Sequence, residues 1–243
     1  MSDVLYSLAN PQRFTRFSTL ALPWLAGLTI LLTIVGLYGA WFVAPPDYQQ
    51  GETIRIKYIH VPAAWMSLFG WTMMSLSAIG TLVFRHPLAD VAQKATAPVG
   101  AAFCIICLIT GSLWGKPMWG TWWVWDARLT SMLVLLLMYL GVIALWRSIE
   151  DQLIAAKAVS IVTLVCAINI PIVKFSVDWW NTLHQPASVL RLNGPTIHSS
   201  MLWPLLVMGL AASLLFATLV LLRMRTELME RRLRRITLNA ARA

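Results

Sequence analysis

The chain has 243 residues, of which 58% are hydrophobic and only 12% charged, with a formal net charge of +9 and a mean hydropathy of +0.70. A soluble domain carries about 25% charged residues, so this composition cannot clothe a water-facing surface and excludes an ordinary soluble protein. The positive charge needs no nucleic acid, because much of it sits in Arg223–Arg235, where basic side chains can meet anionic lipid.

Six long apolar stretches lie between consecutive charges: 17–46, 58–84, 95–115, 129–146, 158–173 and 192–222. A helix needs about 20 residues to cross the hydrocarbon, so the chain reads as an all-α, polytopic membrane protein with six transmembrane helices. The fifth stretch is short and holds Asn169 and Pro171; a snorkelling Lys174 would let it run to about Val177. Arg13 and Arg16 precede the first stretch, which is too long for a signal h-region and reads as an uncleaved anchor.

Lys and Arg alternate unevenly between the connections. The N-terminus, 85–94, 147–157 and the tail hold 13, against 6 in the connections after spans one, three and five. The positive-inside rule then places both termini in the cytoplasm. One integral domain spans 1–243, with outward loops 44–61, 115–128 and 176–200 and a basic cytoplasmic tail, 223–243.

The outward connections carry the unusual residues. Nine of the 13 Trp lie in or against them, five of these between Trp114 and Trp125. An interfacial belt would scatter Trp over both surfaces and needs one or two rings per helix. Clustering of Trp114, Trp119, Trp122, Trp123 and Trp125 beside Asp126 points instead to an aromatic platform for a large planar ligand.

Three of the four His lie on the outward side: His60, His184 and His198. Imidazoles from two connections could ligate a haem iron, though spacing alone leaves open which of the three would do so. Arg55, Arg128 and Arg191 share this face and could pair with carboxylates. Asp126 also stands where it can cap the fourth span. Cys104-Ile-Ile-Cys107 lies mid-span without the His of a covalent haem-attachment motif, so it and Cys166 read as apolar packing. No phosphate-binding Gly-rich loop occurs, which argues against ATP chemistry within the chain.

Trp119-Gly-Thr-Trp-Trp-Val-Trp-Asp126-Ala-Arg128 resembles the WWD signature of haem-handling membrane proteins. Size and span count are similar to the cytochrome c maturation protein C (CcmC) family. The resemblance covers essentially the whole chain. It implies His60 and His184 as axial ligands, with His198 structural, and haem b (iron protoporphyrin IX) carried as cargo. It further implies that haem is held at the periplasmic face of the bacterial inner membrane and passed to a CcmE-like haem chaperone. The implied partners are CcmA and CcmB as ABC subunits and a CcmD-like small protein. On this reading the chain is a transfer protein, not an enzyme. The alternative is a permease subunit exporting haem or another substrate with an ABC ATPase.

Overall fold

The computed structural model describes residues 10–241 except 187, 190 and 192. Leu192, the expected start of the last span, and Arg242 of the tail lie outside them. Among the described residues there are seven α-helices and no strand: α1 Pro11–Tyr38, α2 Lys57–Leu82, α3 Ala89–Trp119, α4 Ala127–Ser148, α5 Gln152–Cys166, α6 Asn169–Trp179 and α7 Ser199–Ala240. Five units are long and apolar enough to cross a membrane: α1 with its extension to Val43, α3, α4, α5 joined to α6, and α7. The 26-residue α2 is not among them. Its run of Ser67, Gly70, Thr72, Ser75 and Ser77 lowers its apolarity, which suits a helix enclosed by neighbours more than one facing lipid.

Local chemistry sets the ends of these helices. Asn10 accepts the Gln12 N–H at 2.8 Å and Pro11 occupies the first turn of α1, where its missing N–H costs nothing. At the other end α1 widens into a π-turn, Gly39–Val43. The Ala40 and Ala44 carbonyls both accept from the Arg55 guanidinium there. α3 runs farther than its apolar stretch at both ends. It passes through Pro117 to Trp119, and Gly120 stops it in the left-handed conformation (φ 75°) that favours glycine. Trp114 and Trp119 are therefore on a helix and not in a loop.

The fifth apolar stretch is two helices. Pro171 cannot donate to the Ala167 carbonyl, and the chain breaks at 167–168 with a three-residue hydrogen bond on each side. Asn169, buried at this break, donates to the Ser131 carbonyl of α4 at 3.0 Å, so the polar amide is satisfied by the neighbouring helix. The last span also differs from expectation: helix begins only at Ser199, because His198 caps it and 193–197 are non-helical.

Two close crossings hold the bundle. Gly70 of α2 faces Gly100 of α3, and Tyr139 of α4 fills the space above them, its hydroxyl donating to the Ser67 carbonyl at 2.7 Å. Trp71 packs edge-on to Tyr139 and donates through Nε1 to the Thr163 carbonyl at 3.2 Å. Small residues let backbones approach where lipid supplies no hydrophobic drive. At the second crossing, Gly36 of α1 receives Met208 of α7.

α7 has 42 residues, about 63 Å at 1.5 Å per residue, twice the thickness of a hydrocarbon core. Its basic end is less free than a solvated tail. Arg231 bridges Asp90 of α3 at 2.6 Å and Glu227 at 2.7 Å, and Lys94 of α3 meets Glu227 at 2.7 Å. Only beyond Arg231 does the helix run with its side chains exposed.

Candidate functional site

At the end of the bundle where α2 begins and α3 ends, a cleft of about 340 Å³ opens between α2, α3, α4, α6 and residues 183–186, 188 and 189. Its walls include Val61, Trp65, Leu68, Leu108, Met132 and Val177, with Gln50, Arg128, Lys174, Asp178 and Gln185 as the polar groups. His60 and His184, 124 positions apart in sequence, both line it.

Each imidazole is held by its Nδ1. His60 Nδ1 lies 3.1 Å from the Cys107 carbonyl and 3.1 Å from Thr110 Oγ1, both on α3. A carbonyl only accepts, so Nδ1 carries the proton and donates. His184 Nδ1 lies 3.3 Å from Asp126 Oδ2, a carboxylate that likewise only accepts. Among the described residues neither Nε2 has a hydrogen-bond partner. The two rings thus keep an unprotonated nitrogen apiece, the arrangement seen where an outer group orients a metal-ligating His.

A Trp edge sets each ring. Trp114 meets His60 with centroids 5.7 Å apart, and Trp119 meets His184 at 4.8 Å, both steeply inclined. Gly111 matters at the first of these, because a Cβ there would lie 3.0 Å from His60 Cε1. Trp114 also donates to Gln50 Oε1 at 2.9 Å, which ties the first outward connection to the end of α3.

Asp126 caps α4 as its position suggests, accepting the Leu129 N–H at 2.8 Å while it also accepts from the Thr182 hydroxyl and from His184. Burial pushes this carboxyl up, but those hydrogen bonds and the nearby imidazole outweigh it and hold Asp126 below its ordinary value. Burial pushes His184 down, and Asp126 offsets this only in part, so the ring stays neutral to below 6.5.

The structure separates the residues that the sequence grouped. Trp114, Trp119, Trp123 and Arg128 line the cleft with both His. Trp122 and Trp125 do not, and stand 55% and 75% exposed. Arg128 lines the cleft and donates to Ser176 Oγ at 3.0 Å and to the Lys174 carbonyl at 3.3 Å. Arg55 is engaged by Glu52 and the π-turn carbonyls, and Arg191 is exposed; neither lines the cleft. His198 caps α7, with its Nδ1 3.3 Å from the Ser200 N–H. Trp65, Gln50 and Thr110 were not singled out from the sequence as site residues, and Lys174 was singled out only as the snorkelling end of the fifth stretch. A polar or aromatic residue one or two turns from His60 is the signal that could have found Trp65.

The cleft thus combines apolar and aromatic walls, two imidazoles that each keep an unprotonated nitrogen, and the cations Arg128 and Lys174. The indole Nε1 of Trp123, buried on its wall, has no acceptor among the described residues.

The chain matches the family described as heme exporter protein C over residues 4–239. It is 59% identical over 237 residues to heme exporter protein C of Bradyrhizobium diazoefficiens, covering 98% of this chain and 90% of the relative. It is 46% identical over 235 residues to the Escherichia coli K12 protein of the same name, covering 96% and 94%. A ccmC-like mitochondrial protein of cytochrome c biosynthesis from Marchantia polymorpha is 48% identical over 194 residues, covering 80% and 81%.

Proposed function

Because the chain belongs to the heme exporter protein C family, we propose that it holds haem b at the periplasmic face of the bacterial inner membrane and hands it on during cytochrome c maturation. The observation that carries this reading is the pair His60, in the first turn of α2, and His184, in the segment after α6, brought to one cleft with each Nδ1 anchored to an acceptor. Neutral imidazole with a free nitrogen is the form that binds iron.

Haem is the cargo. His60 and His184 clamp its iron, Trp114, Trp119 and Trp123 pack its face and edge, and Arg128 meets a propionate, aided by Lys174. Asp126 orients His184 and is not itself a ligand. Arg55 supports the site at one remove, by fixing the π-turn, and Arg191 stands farther out. The cleft leaves an edge of the disc for a CcmE-like chaperone to take. The chain is a transfer protein, working with CcmA and CcmB subunits that supply ATP hydrolysis and with a CcmD-like small protein. α2 completes a six-span bundle with both termini cytoplasmic, in keeping with the Lys and Arg imbalance.

Absorption spectra test this. The purified wild type should show a low-spin bis-imidazole haem spectrum. His60→Ala and His184→Ala should each lose it and regain it with added imidazole. Unchanged spectra in either variant would sink the ligand assignment.

A further inference from the structure

The opposite end of the bundle holds a second cavity, of about 460 Å³. α4 is 22 residues long, about 33 Å, so this cavity lies a full hydrocarbon thickness from the His60–His184 cleft. It forms where α4 ends and α5 begins, and α3 and the basic extension of α7 close it. Among the described residues on its walls, three are cations, Lys94, Arg147 and Arg234, against one carboxylate, Glu150. Lys94 is already shared with Glu227, whereas Arg147 and Arg234 are exposed and enter no ion pair among the described residues. The floor is Trp146, 8% exposed, whose buried Nε1 has no acceptor among the described residues. Lys94 Nζ stands 5.7 Å from the same ring.

A buried indole N–H with two unpaired guanidinium groups is a donor set for a phosphate. Beside the cavity, Leu153 and Ile154 of the first turn of α5 are 76% and 60% exposed. A soluble phosphate has no use for such an apolar ledge, but acyl chains hanging from a bound headgroup would lie along it. We propose that this cavity is a headgroup site for an anionic phospholipid of the leaflet at that end, the phosphate held by Arg147, Arg234 and Trp146. Basic pockets between helices at a membrane surface bind acidic lipid in this way. The tail of α7 thereby ties to the membrane through lipid as well as to α3 through Arg231. The site is independent of the haem reading, since it shares no residue with the cleft.

The test uses the full-length protein in a neutral detergent and follows its thermal midpoint during titration with dioctanoyl phosphatidylglycerol, dioctanoyl phosphatidylcholine or inorganic phosphate. Phosphatidylglycerol should raise the midpoint saturably, and phosphatidylcholine should not. The double variant Arg147→Gln/Arg234→Gln should need about thirtyfold more phosphatidylglycerol, from the loss of two guanidinium charges, while Arg147→Lys/Arg234→Lys should respond within a few-fold of wild type. Both variants change exposed side chains, so their helix content by circular dichroism and their thermal midpoint without lipid should match wild type and certify the fold. A glutamine variant that responds at wild-type concentrations overturns the proposal, as does an equal response to phosphatidylcholine. Inorganic phosphate acting at the same concentration as the lipid would overturn the lipid assignment in favour of a soluble phosphate.

Discussion

One carboxylate joins the start of α4 to the segment after α6: Asp126 accepts the Leu129 N–H through Oδ1 at 2.8 Å and faces His184 Nδ1 through Oδ2 at 3.3 Å. The cap that starts a helix is thus also the group that fixes the tautomer of a cleft imidazole. Asp126→Asn keeps one acceptor oxygen, enough for the Leu129 cap, but removes the charge and sets an amide N–H against the donors of His184 and Thr182. We expect haem affinity to fall about tenfold, the lower part of the range for such outer groups. Spectral titration against wild type measures it.

Acidification should empty the cleft in a defined order. His184 is depressed below 6.5, so below that pH an unfolded or open form takes up a proton that the closed cleft resists, and stability falls. Asp126 is depressed below 3.8, so its contribution is complete above that value and is lost only as the pH falls through its own, lower pKa. Both act in one direction. Haem retention should be full at about pH 7, decline below about 6.5 as protons compete for the imidazole nitrogen, and not recover between about pH 5 and 3. A pH series of the absorption band checks this; retention that rose on acidification would contradict it.

Gly111 leaves room for His60, since a Cβ added at that position would stand only 3.0 Å from Cε1. Gly111→Val should push the imidazole off its Cys107 and Thr110 anchors and abolish the bis-imidazole spectrum. The overall helix content by circular dichroism should stay that of wild type, since the substitution faces the cleft.

Trp122 and Trp125 are exposed and do not line the cleft that Trp123 lines, although Trp125 packs edge-on to Trp123 at 5.4 Å. Trp122→Ala and Trp125→Ala should preserve the haem spectrum and slow transfer to the chaperone. Trp123→Ala should weaken haem binding itself. A transfer assay run beside spectra separates the two groups, and equal losses of binding in all three would refute the division.

Gly100→Ala tests the bundle. Its added methyl would collide with the Tyr139 hydroxyl, at the crossing where Gly70 also approaches. Overpacking of this kind costs about 1–3 kcal/mol or more. The thermal midpoint should drop, and Tyr139→Phe should not relieve the clash because the ring carbons stand nearly as close as the hydroxyl.

The sequence by itself determined the class of this protein. Long uncharged stretches left no alternative to membrane helices, and WGTWWVWDAR with two flanking His pointed to the end of the bundle where the cleft lies. The cap at Asp126 was legible because N-capping depends on the few residues that follow it. Other features depended on contacts between segments far apart in sequence. Arg55 and Arg128 look alike in sequence. A π-turn at the end of α1 takes the first, whereas Ser176 and the Lys174 carbonyl hold the second where it lines the cleft. Trp122 and Trp123 are neighbours, yet the loop after Gly120 turns one outward and one in. Trp65 and Thr110 gained their places only when α2 packed against α3. Local chemistry writes helices, caps and turns into a sequence, but which side chains share a cavity is settled by how the helices cross, and that is set by Gly70, Gly100 and Tyr139 meeting across three of them.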